Sequence, residues 1–118
     1  MITDRRQYPR FKTSNLISYV CLDSNGNEIS QGIGKGIDVT SSGILIETHN
    51  LIKSEEISLM VICREDEIIY IKGKVIYCRA EDSGMFRTVI KFLETNERIR
   101  LFVKNMIKVN SAYSSPWP

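Results

Sequence analysis

The residues with the most chemistry in this chain fall in two short stretches. "DRRQYPRFK" gathers Arg5, Arg6 and Arg10 around Pro9, and "DVTSSG" sets Asp38, Thr40 and Gly43 within six positions. A guanidinium fork grips two phosphate oxygens at once, reads O6 and N7 on the Hoogsteen edge of guanine, or stacks flat on a purine. A carboxylate such as that of Asp38 only accepts hydrogen bonds and suits N–H donors, whereas the Thr40 hydroxyl donates or accepts. Gly43 admits a close backbone approach where a Cβ would collide. Each stretch also has a plainer reading. Asp, Thr, Ser and Gly build turns, Gly43 can simply supply a positive φ, and a basic chain end can serve solubility.

The remaining candidates for chemistry are weaker. "GIGKGID" is G-x-G-x-G, lacks the spacing of a phosphate loop and is not followed by a helical pattern. On a strand, Gly32, Gly34 and Gly36 share one face, which frees room for barrel packing. His49 is the only histidine; it sits in the turn "THNL" without a partner motif and reads as an exposed turn residue. No G-x-S-x-G occurs, no His or Cys pair has ligand spacing, and "KSEE" and "REDE" read as solvated turns. The expectation is a protein that is not an enzyme, with no metal and no bound cofactor.

Charge is distributed unevenly. The net charge is +2, but residues 1–12 hold four basic residues against one acid, a balance of +3, which leaves −1 for the remainder. A total so small does not imply nonspecific attraction to nucleic acid, and no interleaving of aromatic and basic residues suggests a base-stacking platform, so a nucleic-acid-binding barrel that uses the arm on phosphates is the weaker alternative. Cys21, Cys63 and Cys78 lie far apart, without a C-x-x-C pair, and read as buried free thiols of a reducing compartment. The charged start lacks the apolar core of a signal peptide, and the longest apolar run, "ISLMVIC", falls well short of the ~20 residues that span a bilayer. A cytoplasmic protein is expected.

The elements that must position these residues are mostly strands. Pro9 cannot donate to a ladder and biases Tyr8 towards extended geometry, so the start reads as an arm. "NLISYVCLD" alternates, "DSNGN" carries an Asn-Gly pair that favours a tight hairpin, and "EISQGIGKGIDV" returns. "ILIET", "EISLMVIC", "IIYIKGKVIYCRA" and "MFRTVIKFL" follow, divided by "TSSG", "REDE" and "EDSG", to give about six strands at the spacing of a small antiparallel barrel. Then the period changes. Ile99, Phe102, Val103, Met106 and Ile107 fall on one face of a helix that Thr95 or Asn96 can cap. The resulting organisation is a flexible basic arm over residues 1–12, a barrel with its helix over 13–110, and a tail over 111–118.

An R-x-x-x-R arm at Arg6 and Arg10, then a [D/N]-x-S-x-x-G turn matched by Asp38, Thr40 and Gly43, resembles the PilZ domain family. The match extends over roughly residues 4–109. The resemblance implies an all-β fold, a six-stranded antiparallel β-barrel with a C-terminal α-helix. It also implies a bacterial receptor for cyclic di-GMP, with Arg5, Arg6, Arg10, Asp38, Thr40 and Gly43 as ligand contacts and an effector protein as partner. In this family an arginine just before R-x-x-x-R is associated with an intercalated ligand dimer, and Arg5 occupies that position.

Two departures bear on binding. Thr40 keeps the hydroxyl of the usual serine but adds a methyl group. Val89 stands where the family often has a glycine, three positions before the phenylalanine, and narrows the approach to the site. The alternative is therefore a PilZ-fold interaction module that no longer binds nucleotide. Tyr113 and Trp117 are candidate partner contacts, and a homodimer through an edge strand or the terminal helix stays open.

Overall fold

Side chains alternate across a strand, so each apolar run divides into a dry face and a wet one, and the dry faces must meet. The structure, a computed structural model, describes residues 11–12, 16–62 and 67–109. Its elements are β1 (Phe11–Lys12), β2 (Leu16–Leu22), β3 (Glu28–Val39), β4 (Gly43–Thr48), β5 (Glu56–Ile62), β6 (Ile68–Ala80), β7 (Phe86–Phe92) and α1 (Glu97–Val109). The strands run antiparallel in the order β1-β3-β2-β5-β6-β7-β4, and β4 returns to pair with β3. That last pairing closes a six-stranded barrel, as the alternation predicts.

The core lies inside the closed sheet. Ile17, Ile46, Ile57, Leu59, Ile71 and Ile90 are fully buried there, each contributing about 2–3 kcal/mol of apolar burial. Helix α1 covers one end of the barrel with Ile99, Phe102 and Val103. Asn96 is its cap: the side-chain oxygen accepts from the Ile99 N–H at 2.8 Å. Arg98 ties the helix to the start of β6, donating to Glu67 Oε1 at 2.8 Å and to the Ile68 carbonyl at 3.2 Å.

Two hairpins share one tight form, the first of them at the Asn-Gly pair that favours it. At Asp23–Asn27 the Gly26 N–H donates to the Asp23 carbonyl and the Asp23 N–H to the Asn27 carbonyl, with Gly26 at φ 83°. Glu81–Met85 repeats the pattern, with Gly84 at φ 87°. Both are three-residue loops whose glycine takes the left-handed position. In the first, the Asp23 carboxylate also accepts from the Asn25 and Asn27 N–H groups.

The end of the arm differs. Phe11–Lys12, assigned to the arm by the sequence pattern, form β1 and pair with Val39 and Asp38. The reason is the length of β3: β2 pairs with it only as far as Lys35, so Asp38 and Val39 run past Leu16 with that flank unpaired. Arg5, Arg6 and Arg10 lie outside the described residues, as do Cys63, Tyr113 and Trp117. Cys21 is buried as expected, Cys78 only half-buried, because a bulge in β6 precedes it.

The glycines of β3 serve packing. A Cβ on Gly32 would stand 2.5 Å from the Tyr19 hydroxyl, and one on Gly34 would stand 2.9 Å from Thr48 Cγ2 and 3.0 Å from the Glu47 carbonyl oxygen. Tyr19 therefore lies folded into the barrel wall, and its phenol titrates above the ordinary value, first through burial and then through the neighbouring Cys21 and Cys78. An unfolded tyrosine ionises near pH 10 while the folded one keeps its proton, so stability falls as pH rises from about 10 towards the folded value. The urea midpoint is expected to drop across that window, and Tyr19→Phe to lose part of the drop; an identical decline in the variant would contradict it.

Candidate functional site

The turn after β3 is built by one hydroxyl. Thr40 Oγ1 accepts from the Ser42 N–H at 3.2 Å and the Gly43 N–H at 3.1 Å, and the Thr40 N–H donates to the Gly43 carbonyl at 2.9 Å. Thr40 is thus engaged within the turn, in the manner that lets Ser and Thr replace a backbone turn. Removing the oxygen orphans two N–H donors. Thr40→Ala is expected to cost about 1–2 kcal/mol and Thr40→Ser less than about 0.5, read from urea denaturation. Equal losses would dismiss the hydroxyl as the organiser.

Gly43 is not there for a positive φ, which among the described glycines Gly26 and Gly84 adopt. It stands against β7: an added Cβ would meet the Ile90 carbonyl oxygen at 2.3 Å. The Phe92 N–H donates to the Ser42 carbonyl at 2.9 Å and holds the turn to the same strand.

Asp38 reaches its place through a bulge. Gly32, Gly34 and Gly36 lie on the inner face, and unbroken alternation would send Asp38 inward too. The register slips between Gly36 and Asp38, so that Gly36 faces Ile46 but Asp38 faces Leu45. A one-residue slip reverses which face a side chain takes. Asp38 therefore joins the outer row with Leu45, Val89 and Tyr77, which pair in turn across β4, β7 and β6. It is only 2% exposed all the same.

The structure thus brings Asp38, Thr40 and Gly43 into one corner, with Val89 half-buried two strands away in the same outer row. The strand that follows Arg10 in sequence pairs at that corner. Sequence reasoning missed Leu45, which faces Asp38 across β3 and β4, and did not place Tyr77 in the same outer row. A second slip, between Val75 and Tyr77, turns Tyr77 outward, and neither bulge has a residue signature. His49 is exposed, as its turn position suggested. No group of metal-ligating side chains occurs among the described residues. Among them, too, no helix is long and apolar enough to cross a membrane.

No protein-family model and no curated protein matches the sequence. Solved structures do match. The PilZ domain of YcgR from Escherichia coli, determined with c-di-GMP, superposes with a TM-score of 0.63 over 92% of both chains at 12% identity. The fold is PilZ-like. The Bacillus subtilis inhibitor of motility, MotI, aligns with 92% of this chain and 52% of its own at a TM-score of 0.70 and 13% identity. The K. pneumonia MrkH–c-di-GMP complex aligns with 92% and 54% at 0.60 and 16%. The chain spans about half the length of MotI and MrkH. Across so few identical residues, what the PilZ-like chains share is the barrel and its helix.

Proposed function

We propose that this chain is a cyclic di-GMP receptor without catalytic activity of its own, in which an arginine arm closes over the Asp38–Gly43 turn. The observation that carries the reading is the pairing of Phe11–Lys12 with Val39 and Asp38. One peptide bond joins Arg10 to Phe11, so the arm is rooted beside the turn that its motif accompanies. Arg6 and Arg10 grip phosphate oxygens or a guanine edge, and Asp38 accepts from guanine N–H groups. Thr40 keeps the turn in shape. Arg5 adds a third guanidinium, which suits a second, intercalated nucleotide. Two of the similar structures contain c-di-GMP, which supports the ligand class. Only residues 13–15 separate Lys12 from Leu16 at the head of β2, a short path from an ordered arm to the barrel wall and on to an effector protein.

Calorimetric titration of the purified chain with cyclic di-GMP tests this. Saturable heat is expected, with two nucleotides per chain if the ligand is a dimer. A flat titration with folded protein would favour the second reading, an interaction module without nucleotide. Val89 is the observation behind that reading, because its side chain stands in the outer row with Asp38.

A further inference from the structure

A cleft of about 280 Å³ opens between the Asp38–Gly43 turn and helix α1, lined by Ser41, Thr95, Ile99, Arg100, Val103 and Lys104. The helical period gives it two tiers. Ile99 and Val103, one turn apart, are buried and form its base. Arg100 and Lys104, each one position further on, are exposed and form its rim. Ser41 comes from the turn and Thr95 from the segment between β7 and α1, and each brings a hydroxyl that donates or accepts. The charge of the rim is unbalanced. Arg98, two positions before Arg100, is paired with Glu67. No carboxylate among the described residues pairs with Arg100 or Lys104, and neither Glu94 nor Glu97 lines the cleft. Two cations at i and i+4 of a helix repel each other. Arg100 also falls in the first turn of α1, where the positive end of the helix disfavours a cation. An anion seated between the two side chains relieves both.

We propose that this cleft is a phosphate subsite, in which Arg100 and Lys104 hold one phosphodiester of cyclic di-GMP while the arm grips the other. The subsite rests on the receptor reading and extends it to α1. The ligand carries two phosphodiesters, and the fold offers cations on two sides of one turn. The arm is rooted at Val39, just ahead of the turn, and α1 shares the cleft with Ser41 within it. Arg100 supplies a fork that takes two phosphate oxygens, and Lys104 supplies a point charge on a flexible stem. The apolar base of Ile99 and Val103 keeps water from beneath the anion, and a lower local dielectric strengthens both contacts. Because the same two residues pack α1 onto the barrel, the bound nucleotide joins arm, turn and helix.

Calorimetric titration of the full chain with cyclic di-GMP, in wild type and variants, tests the subsite. Arg100→Ala is expected to weaken binding about tenfold and Lys104→Ala about threefold, with Arg100→Lys recovering part of the loss. The double reversal Arg100→Glu, Lys104→Glu is expected to weaken it at least a hundredfold. These are exposed helix positions, so thermal midpoints without nucleotide should stay within about 3 °C of wild type. Should the double reversal unfold, the single alanine variants carry the test. Lys53→Ala is the control, since it removes the same charge from an exposed position beyond Thr48, at the other end of β4 from the turn. Contact is read separately from the Arg100 Nε–Hε resonance, which is expected to shift as cyclic di-GMP saturates the wild type. Wild-type affinity in both alanine variants, an equal loss in Lys53→Ala, or an Arg100 resonance that stays in place while nucleotide binds overturns the subsite and leaves the receptor reading standing. A flat wild-type titration removes the receptor reading, and the subsite with it.

Discussion

Gly43→Ala is expected to lower stability by about 3 kcal/mol, close to the upper end for a single inserted methyl group. The new Cβ would lie 2.3 Å from the Ile90 carbonyl oxygen, 3.3 Å from its carbon and 3.4 Å from Lys91 Cα. All three are backbone atoms of the paired strand, so no rotamer change relieves the contact, and β4 must part from β7 where the turn is pinned. The Thr40–Gly43 and Phe92–Ser42 backbone bonds stretch with it. A fall of roughly 10 °C in the thermal midpoint is the expected reading. Gly84→Ala is the control: its Cβ meets nothing within 4 Å, and the only cost is a φ of 87°, about 1–2 kcal/mol. If the two variants proved equal, the close approach to β7 would not be what Gly43 is for. Because the same shift displaces the Asp38–Gly43 corner, a receptor would lose affinity in Gly43→Ala and keep it in Gly84→Ala.

Arg10→Ala and Arg6→Ala are each expected to weaken cyclic di-GMP binding roughly tenfold to hundredfold, as loss of a charge-assisted hydrogen bond worth about 1.5–3 kcal/mol implies. Arg10→Lys separates charge from shape. A lysine keeps the cation but not the bidentate fork, so partial recovery is expected. If the two arginines hold the ligand independently, the double variant falls about a thousandfold, and a smaller loss measures their coupling. Unchanged heat in Arg10→Ala would remove the arm from the site while leaving the turn to be tested on its own.

The strands of the barrel and the terminal helix were legible because their signals are local. Alternation in "ISYVC", "EISLMVI" and "IIYIKGK" gives the strands, and a 3.6-residue period in "ERIRLFV" gives the helix. Each states its buried face without knowledge of its neighbours. The candidate turn was legible for the same reason, since Thr40 needs only the next three residues to make its bonds. The arginine motif was legible as residues, and the arm's own course lies outside what the structure describes.

What remained belongs to pairing between distant segments. The slips after Gly36 and Val75 carry Asp38 and Tyr77 to the outer face, and a slip exists only relative to a partner strand. Gly43 was read as a source of positive φ or of room for a ligand, yet its space is taken by β7, which arrives from 47 positions further on. The two-residue strand β1 forms because β3 outruns β2, a difference of lengths that neither segment carries alone. The apolar outer face is the clearest instance. Leu16, Ile33, Ile62 and Tyr70 look scattered along the chain, and only the pairing of β3, β2, β5 and β6 sets them on one face towards water. The chain by itself therefore determined its elements and which side of most of them is dry, because those follow from nearest neighbours. Which residues share a corner or an outer face was decided by register, a property of the assembled sheet.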